Sequence, residues 1–135
     1  MTVFVCIDDR GGMLFNRRRQ SRDREQIADM LRLVGGRRLL CDPYSAALLT
    51  EQGAAPLACA DFLERAAAND CCFVENKALL PYLAGIQTLY VYKWNRTYPR
   101  DTLLDLPLPG KLRLVETVEF PGYSHEKITR ERYEG

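Results

Sequence analysis

Apolar residues along this 135-residue chain fall into short runs of two different periods. Thr2–Ile7 is a β-branched and aromatic run that ends at Asp8-Asp9-Arg10-Gly11-Gly12. That is the pattern of a buried strand running into a flexible loop. Ile27, Met30, Leu31 and Val34 then recur at i, i+3, i+4 and i+7, which predicts a helix over Arg24–Val34. Asp23 is suited to cap it, Gln26 stands three residues on, and Gly35-Gly36 supplies the stop. Arg38–Cys41 reads as a short strand. At Asp42-Pro43 the aspartate fits an N-cap and the proline a first helical position, so a helix is expected to run on through Tyr44–Glu51.

The second half repeats the alternation. Ala55–Cys59 reads as a short strand, Asp61 as the cap of a helix over Phe62–Ala68, and Asn69 as a left-handed stop. Cys71–Glu75 and Thr88–Trp94 are apolar strand runs. Between them Asn76 is placed to cap a helix, which Pro81 would kink or delay. Leu112–Phe120 carries apolar residues at 112, 114, 118 and 120, interrupted at Glu116, and Ile128–Tyr133 is placed to pair with it. Strands alternating with helices and then two strands in succession predict a mostly parallel sheet with an antiparallel C-terminal edge. With no internal repeat, low-complexity segment or linker, residues 1–135 read as a single domain.

Composition narrows the role without naming it. With 47% hydrophobic residues and 19 basic against 18 acidic side chains, the chain has the makeup of a folded domain with no global electrostatic pull. Any charge-driven recognition must be local. No apolar run approaches the ~20 residues of a membrane span, and Met1 leads into a strand without a basic signal-like region. Cys6, Cys41, Cys59, Cys71 and Cys72 are odd in number and several sit within apolar patterns, which predicts reduced, buried thiols in a cytoplasmic protein.

The order of elements resembles dihydrofolate reductase. The opening strand with Asp9-Arg10-Gly11-Gly12-Met13-Leu14 is similar to that family's first strand and active-site loop. Asp61–Ala68, Cys71–Glu75, Leu79–Leu83 and Leu89–Trp94 resemble its last helix–strand–helix–strand succession. Arg100-Asp101-Thr102-Leu103-Leu104 resembles its Gly-Asp-Thr-Phe-Phe turn, and Ser124–Tyr133 its final strand. The resemblance spans most of the chain, with a strand region trimmed between Gly53 and Ala60. It implies a three-layer α/β sandwich, and it points to Asp23 as the counterpart of the family's pterin-binding acid and Thr102 as the threonine that supports it. A plain N-cap explains Asp23 without any chemistry, and that is the favoured reading.

The departures from the family bear on its cofactor. Where a Gly-Gly pair lets the backbone approach the NADPH pyrophosphate, this chain reads Val74-Glu75-Asn76-Lys77, with side chains present and a carboxylate added. Where a Gly-Arg-x-Thr segment binds phosphate from the other side, it reads Cys41-Asp42-Pro43-Tyr44-Ser45. NADPH is therefore disfavoured.

The sharpest local anomaly is Asn16–Arg24, with Arg17, Arg18, Arg19, Arg22 and Arg24 within nine residues. Guanidinium forks beside a helix N-terminus suit phosphate and other anions; the same run would also serve as a solvated basic loop. Metal chemistry is not expected: His125 is the single histidine, too few for a two-zinc hydrolase, and no Cys-x-x-Cys pair is present. Ser124-His125-Glu126 reads as a hairpin turn or a solvated strand start, because a catalytic triad is a spatial arrangement rather than a tripeptide. Tyr90, Tyr92, Trp94 and Tyr98 read as core or cleft wall. The sequence thus favours a binding or regulatory protein that takes an anionic small molecule or protein partner, with RNA not excluded and no membrane partner. The alternative is an NAD(P)H-dependent reductase with altered cofactor binding.

Overall fold

A computed structural model describes all 135 residues. Fourteen elements follow in order: β1 Thr2–Ile7, β2 Gly12–Phe15, β3 Arg18–Arg19, α1 Arg24–Val34, β4 Leu39–Cys41, α2 Pro43–Glu51, β5 Leu57–Ala58, α3 Phe62–Arg65, β6 Cys71–Phe73, a 3₁₀ helix Leu80–Gly85, β7 Thr88–Lys93, β8 Thr102–Leu103, β9 Arg113–Phe120 and β10 Ile128–Glu134. Seven strands form one sheet in the order β5-β4-β6-β1-β7-β10-β9. β5, β4, β6, β1 and β7 run parallel, and β10 and β9 join antiparallel, as the alternation of elements predicts.

The period of two along the central strands sorts their side chains to opposite faces. Val3, Val5, Leu40, Cys72, Leu89 and Val91 pack on one face with Phe62 and Leu63 of α3. Phe4, Cys41, Cys71, Phe73 and Tyr92 pack on the other with Ile27, Met30 and Val34 of α1 and with Leu48 and Leu49 of α2. Cys71 and Cys72 accordingly belong to different cores, and all five cysteines are free thiols. Helices on both faces of a sheet give the three layers.

Local signals set the element ends. Asp23 accepts the Glu25 N–H at 2.8 Å as the α1 cap, and Gly35, at φ 60°, sends its N–H to the Leu31 carbonyl. Asp42 accepts the Tyr44 N–H at 2.9 Å with Pro43 opening α2.

Other expectations are corrected. The Asp61 side chain binds Arg65 instead of capping, α3 stops at Arg65 rather than Ala68, and Asn69 is not left-handed. The helix expected after Asn76 is the 3₁₀ helix, delayed to Leu80, and Asp105 receives the Leu79 and Leu80 N–H groups at 2.8 and 3.0 Å. The Asp8–Gly12 loop is held, not free: Asp8 Oδ1 accepts the N–H groups of Arg10 and Gly12 at 2.9 and 2.7 Å. β9 is the sheet's edge and largely exposed, so its apolar positions form no continuous core face.

Candidate functional site

The parallel strands end, at their C-terminal tips, beside the loops that carry the chain's unusual chemistry, as ligand sites do in open α/β sheets. The first constellation centres on Asp23. Its side chain is fully buried beneath the turn that joins β9 to β10. Both carboxylate oxygens accept the Tyr123 N–H at 2.9 Å, and Oδ2 also accepts the N–H groups of Ser124 at 2.8 Å and His125 at 3.1 Å. The His125 ring completes the shell, Nδ1 lying 2.9 Å from Oδ2. Burial by itself would raise the Asp23 pKa, but the donors from Tyr123, His125, Ser124 and Glu25 outweigh it and hold the carboxyl far below the usual carboxylate range. Gly122 makes this wrapping possible. A Cβ there would stand 2.6 Å from the His125 carbonyl oxygen and 2.7 Å from Asp23 Oδ2.

His125 is 2% exposed, which corrects the reading of a solvated strand start, although it does lie in a hairpin connection. Its ring stacks on Trp94 with centroids 4.5 Å apart and planes at 18°. Nε2 faces two hydroxyls, Ser21 Oγ and Tyr98 Oη, each at 3.0 Å. Because Asp23 can only accept, the proton belongs on Nδ1 in the neutral ring, and Nε2 is left as an acceptor.

Thr102 does not join this cluster. It sits exposed in β8, opposite Leu14 of β2, with its hydroxyl 3.4 Å from Asp101. The two expected catalytic residues therefore do not converge.

The second constellation is the arginine segment, which forms a β-hairpin rather than a loop. Asn16 and Arg17 take φ of 52° and 63° between β2 and β3, as the tightest hairpin turns require. The hairpin disperses its arginines. Arg19 makes a two-point pair with Glu75 at 2.8 and 2.9 Å, Arg22 meets Glu51 at 2.6 Å, and Arg24 lies over the Tyr123 ring at 3.6 Å. Arg17 and Arg18 remain exposed and without an acidic partner. Three arginines outside the run also lack an ionic partner: Arg10 in the β1–β2 turn, and Arg96 and Arg100 in the β7–β8 loop. Those loops hydrogen-bond to each other through Asp9 N–H to the Arg96 carbonyl, Tyr98 N–H to Asp8, and Asp101 N–H to the Leu14 carbonyl.

The third constellation lies at the tips of β4 and β6. Glu75 is nearly buried and accepts both the Arg19 fork and the Ser45 hydroxyl, the latter at 2.7 Å. Tyr44 supports it, accepting the Arg19 N–H at 2.8 Å while its ring lies under the guanidinium at 4.6 Å. Asp42 stands beside Lys77 at 3.7 Å. Cys6 on β1 feels the charges of Glu75, Arg19 and Asp23; burial first and the Glu75 charge second push its thiol well above the ordinary range. No group of three or more His, Cys, Asp or Glu side chains is arranged to hold a metal ion. No helix is long and apolar enough to cross a membrane.

No protein-family model and no curated protein sequence matches this chain. Among solved structures, dihydrofolate reductase from Enterococcus faecalis, in a complex with NADP(H) and RAB-propyl, superposes with a TM-score of 0.70. The match covers 98% of this chain and 94% of that one, at 11% identity. The fold is that of dihydrofolate reductase. At this identity the likeness carries the fold and not the activity. Within a dihydrofolate reductase-like fold, the Glu75 constellation occupies the segment that the resemblance aligns with the cofactor-binding glycines. Its donor set does not suit a pyrophosphate. Glu75 and Asp42 present carboxylates, and the one guanidinium at hand is already committed to Glu75.

Proposed function

We propose that this chain is a cytoplasmic binding protein on a dihydrofolate reductase-like scaffold, which engages an anionic small molecule or protein partner and does not use NADPH. The observation that carries the reading is the set of unpaired arginines, Arg10, Arg17, Arg18, Arg96 and Arg100, on the β1–β2 turn, the β2–β3 hairpin and the β7–β8 loop, which hydrogen bonds tie together. A guanidinium without an acidic neighbour is free to take a phosphate or carboxylate in two-point fashion. Of the five arginines singled out in the sequence, Arg17 and Arg18 stay in this role. Arg19, Arg22 and Arg24 serve the fold through Glu75, Glu51 and Tyr123. Against NADPH stands the Arg19–Glu75–Ser45 cluster, which sets a paired carboxylate in the segment that the resemblance aligns with the cofactor-binding glycines. Five free thiols suit a reducing compartment.

The test is a thermal-shift titration with inorganic pyrophosphate, a short polyphosphate and NADPH. A ligand at ~100 times its Kd adds about 2.7 kcal/mol to the native state. The reading expects a shift with polyphosphate that shrinks as salt rises and is lost in an Arg17→Ala/Arg18→Ala variant. A salt-insensitive shift with NADPH alone would overturn it in favour of a reductase.

A further inference from the structure

Ser21 and Asp23, from the connection between β3 and α1, and His125, from the β9–β10 turn, are brought by the fold into one hydrogen-bonded line. Ser21 Oγ lies 3.0 Å from His125 Nε2, and His125 Nδ1 lies 2.9 Å from Asp23 Oδ2. We propose that this line is a nucleophilic centre, with Ser21 attacking the carbonyl of a small acyl ester. This goes beyond anion binding and does not depend on it.

Each member is held in the state the chemistry needs. Asp23 is kept ionised by N–H donors, so it accepts from Nδ1 and leaves the Nε2 lone pair for a proton. Stacking on Trp94 at 4.5 Å prevents the ring from turning away. Tyr98 Oη lies 3.4 Å from Ser21 Oγ and 3.0 Å from Nε2, so when the serine donates to Nε2 the phenol turns its one proton to the serine. Ser124 touches the same ring but on the Nδ1 side, where it is tied to Asp23 and to the Arg22 carbonyl. Of the two serines at the ring, Ser21 is the half-buried one with its hydroxyl on Nε2, a position it shares with Tyr98 Oη. Ser21 lines none of five surface cavities of about 200–470 Å³, so the substrate proposed is a small acyl ester reached from the surface.

The step balances with water as the only co-reactant. Ser21 Oγ bonds to the carbonyl carbon, its proton passes to Nε2, and the carbonyl electron pair moves onto oxygen. Collapse of the adduct expels the alcohol, which takes the Nε2 proton. Water then attacks the acyl-serine by the same route and releases the acid and free Ser21.

The experiment treats the full chain with an alkyl fluorophosphonate, follows adduct formation by intact mass and peptide mapping, and measures hydrolysis of p-nitrophenyl acetate alongside. The expected result is one adduct on Ser21, absent in Ser21→Ala and in urea-unfolded protein. Labelling should be at least about a hundredfold slower in His125→Gln, and its rate should rise with pH as a single group loses a proton. Since His125→Gln can also disturb folding, Ser21→Ala, which keeps the Asp23–His125 contact, decides the matter. An adduct that persists in Ser21→Ala, or labelling no faster than in unfolded protein, would overturn the proposal and leave the cluster as a tie between the β9–β10 turn and α1.

Discussion

Asp23 and Glu75 are two buried carboxylates whose charges both reach Cys6, yet the chain satisfies them in opposite ways. Asp23 is wrapped by neutral N–H dipoles and a histidine from a turn about a hundred residues away. Glu75 is paired with a cation from a nearby hairpin and with one hydroxyl. Backbone dipoles are part of the fold and cannot be exchanged for something else. A side-chain cation can be replaced together with its partner. The Asp23 environment should therefore be brittle and the Glu75 environment tolerant.

The largest expected effect is at Asp23. In Asp23→Asn an amide N–H must face donors that have no other acceptor, and about 3–5 kcal/mol of stability should be lost, read from the urea midpoint at constant slope. A loss under about 1 kcal/mol would show that the β9–β10 turn holds its place without the carboxylate. Gly122→Ala tests the same wrapping from outside. With the new methyl driven against the His125 carbonyl and Asp23, about 2–3 kcal/mol should go. Retention of wild-type stability would mean that the turn can retreat cheaply.

At Glu75 the contrast should appear as a cycle. Arg19→Ala leaves a nearly buried carboxylate with one hydroxyl donor and should cost about 2 kcal/mol, whereas Arg19→Met/Glu75→Leu should return to within about 1 kcal/mol of wild type. If the double variant is as unstable as the single one, the pair is not exchangeable, and the comparison between the two acids fails.

The same contrast explains what could be read from the sequence. The strands, the caps at Asp23 and Asp42, the Gly35 stop and the antiparallel edge follow from spacings of a few residues, and all are present. The burial of His125 was not legible. Its partners Ser21 and Asp23 lie 104 and 102 residues upstream, and only the sheet order brings them together. Thr102 was misplaced for the converse reason: a short motif fixes a local turn but not which element it faces. The arginine run reads as one site only if sequence proximity means a shared direction, and in the hairpin it does not. In β3 neighbouring side chains alternate, so Arg18 faces solvent while Arg19 reaches Glu75. Arg10, Arg96 and Arg100 carried no signal at all, since what distinguishes them is the lack of a partner.

Acid should probe the wrapping of Asp23 more gently. The Asp23 pKa is lowered on folding, so the unfolded chain binds the extra proton as pH falls. Its contribution is complete above the ordinary carboxylate value of about 4 and is lost progressively below it. Asp8 and Asp70 are lowered as well, so the whole chain should weaken in acid. Asp23's share is the difference between wild type and Asp23→Asn in the drop of the urea midpoint from pH 5 to pH 3. Equal drops would mean that the carboxylate is not the acid-sensitive part of the wrapping.

The smallest effect on stability is expected where the proposed function is placed. Arg17 and Arg18 are exposed and unpaired, so Arg17→Ala/Arg18→Ala should move stability by no more than about 0.5 kcal/mol. Their neighbour Arg19 differs by one position and, by the argument above, by a far larger cost. A single β-hairpin would then hold a residue needed for folding next to two that the fold does not need. If the double variant is instead strongly destabilised, those arginines have structural partners, and the case for an anion-binding rim loses two of its five members. If it is stable and still binds polyphosphate with wild-type salt dependence, binding must rest on Arg10, Arg96 and Arg100. Those three then become the positions to change.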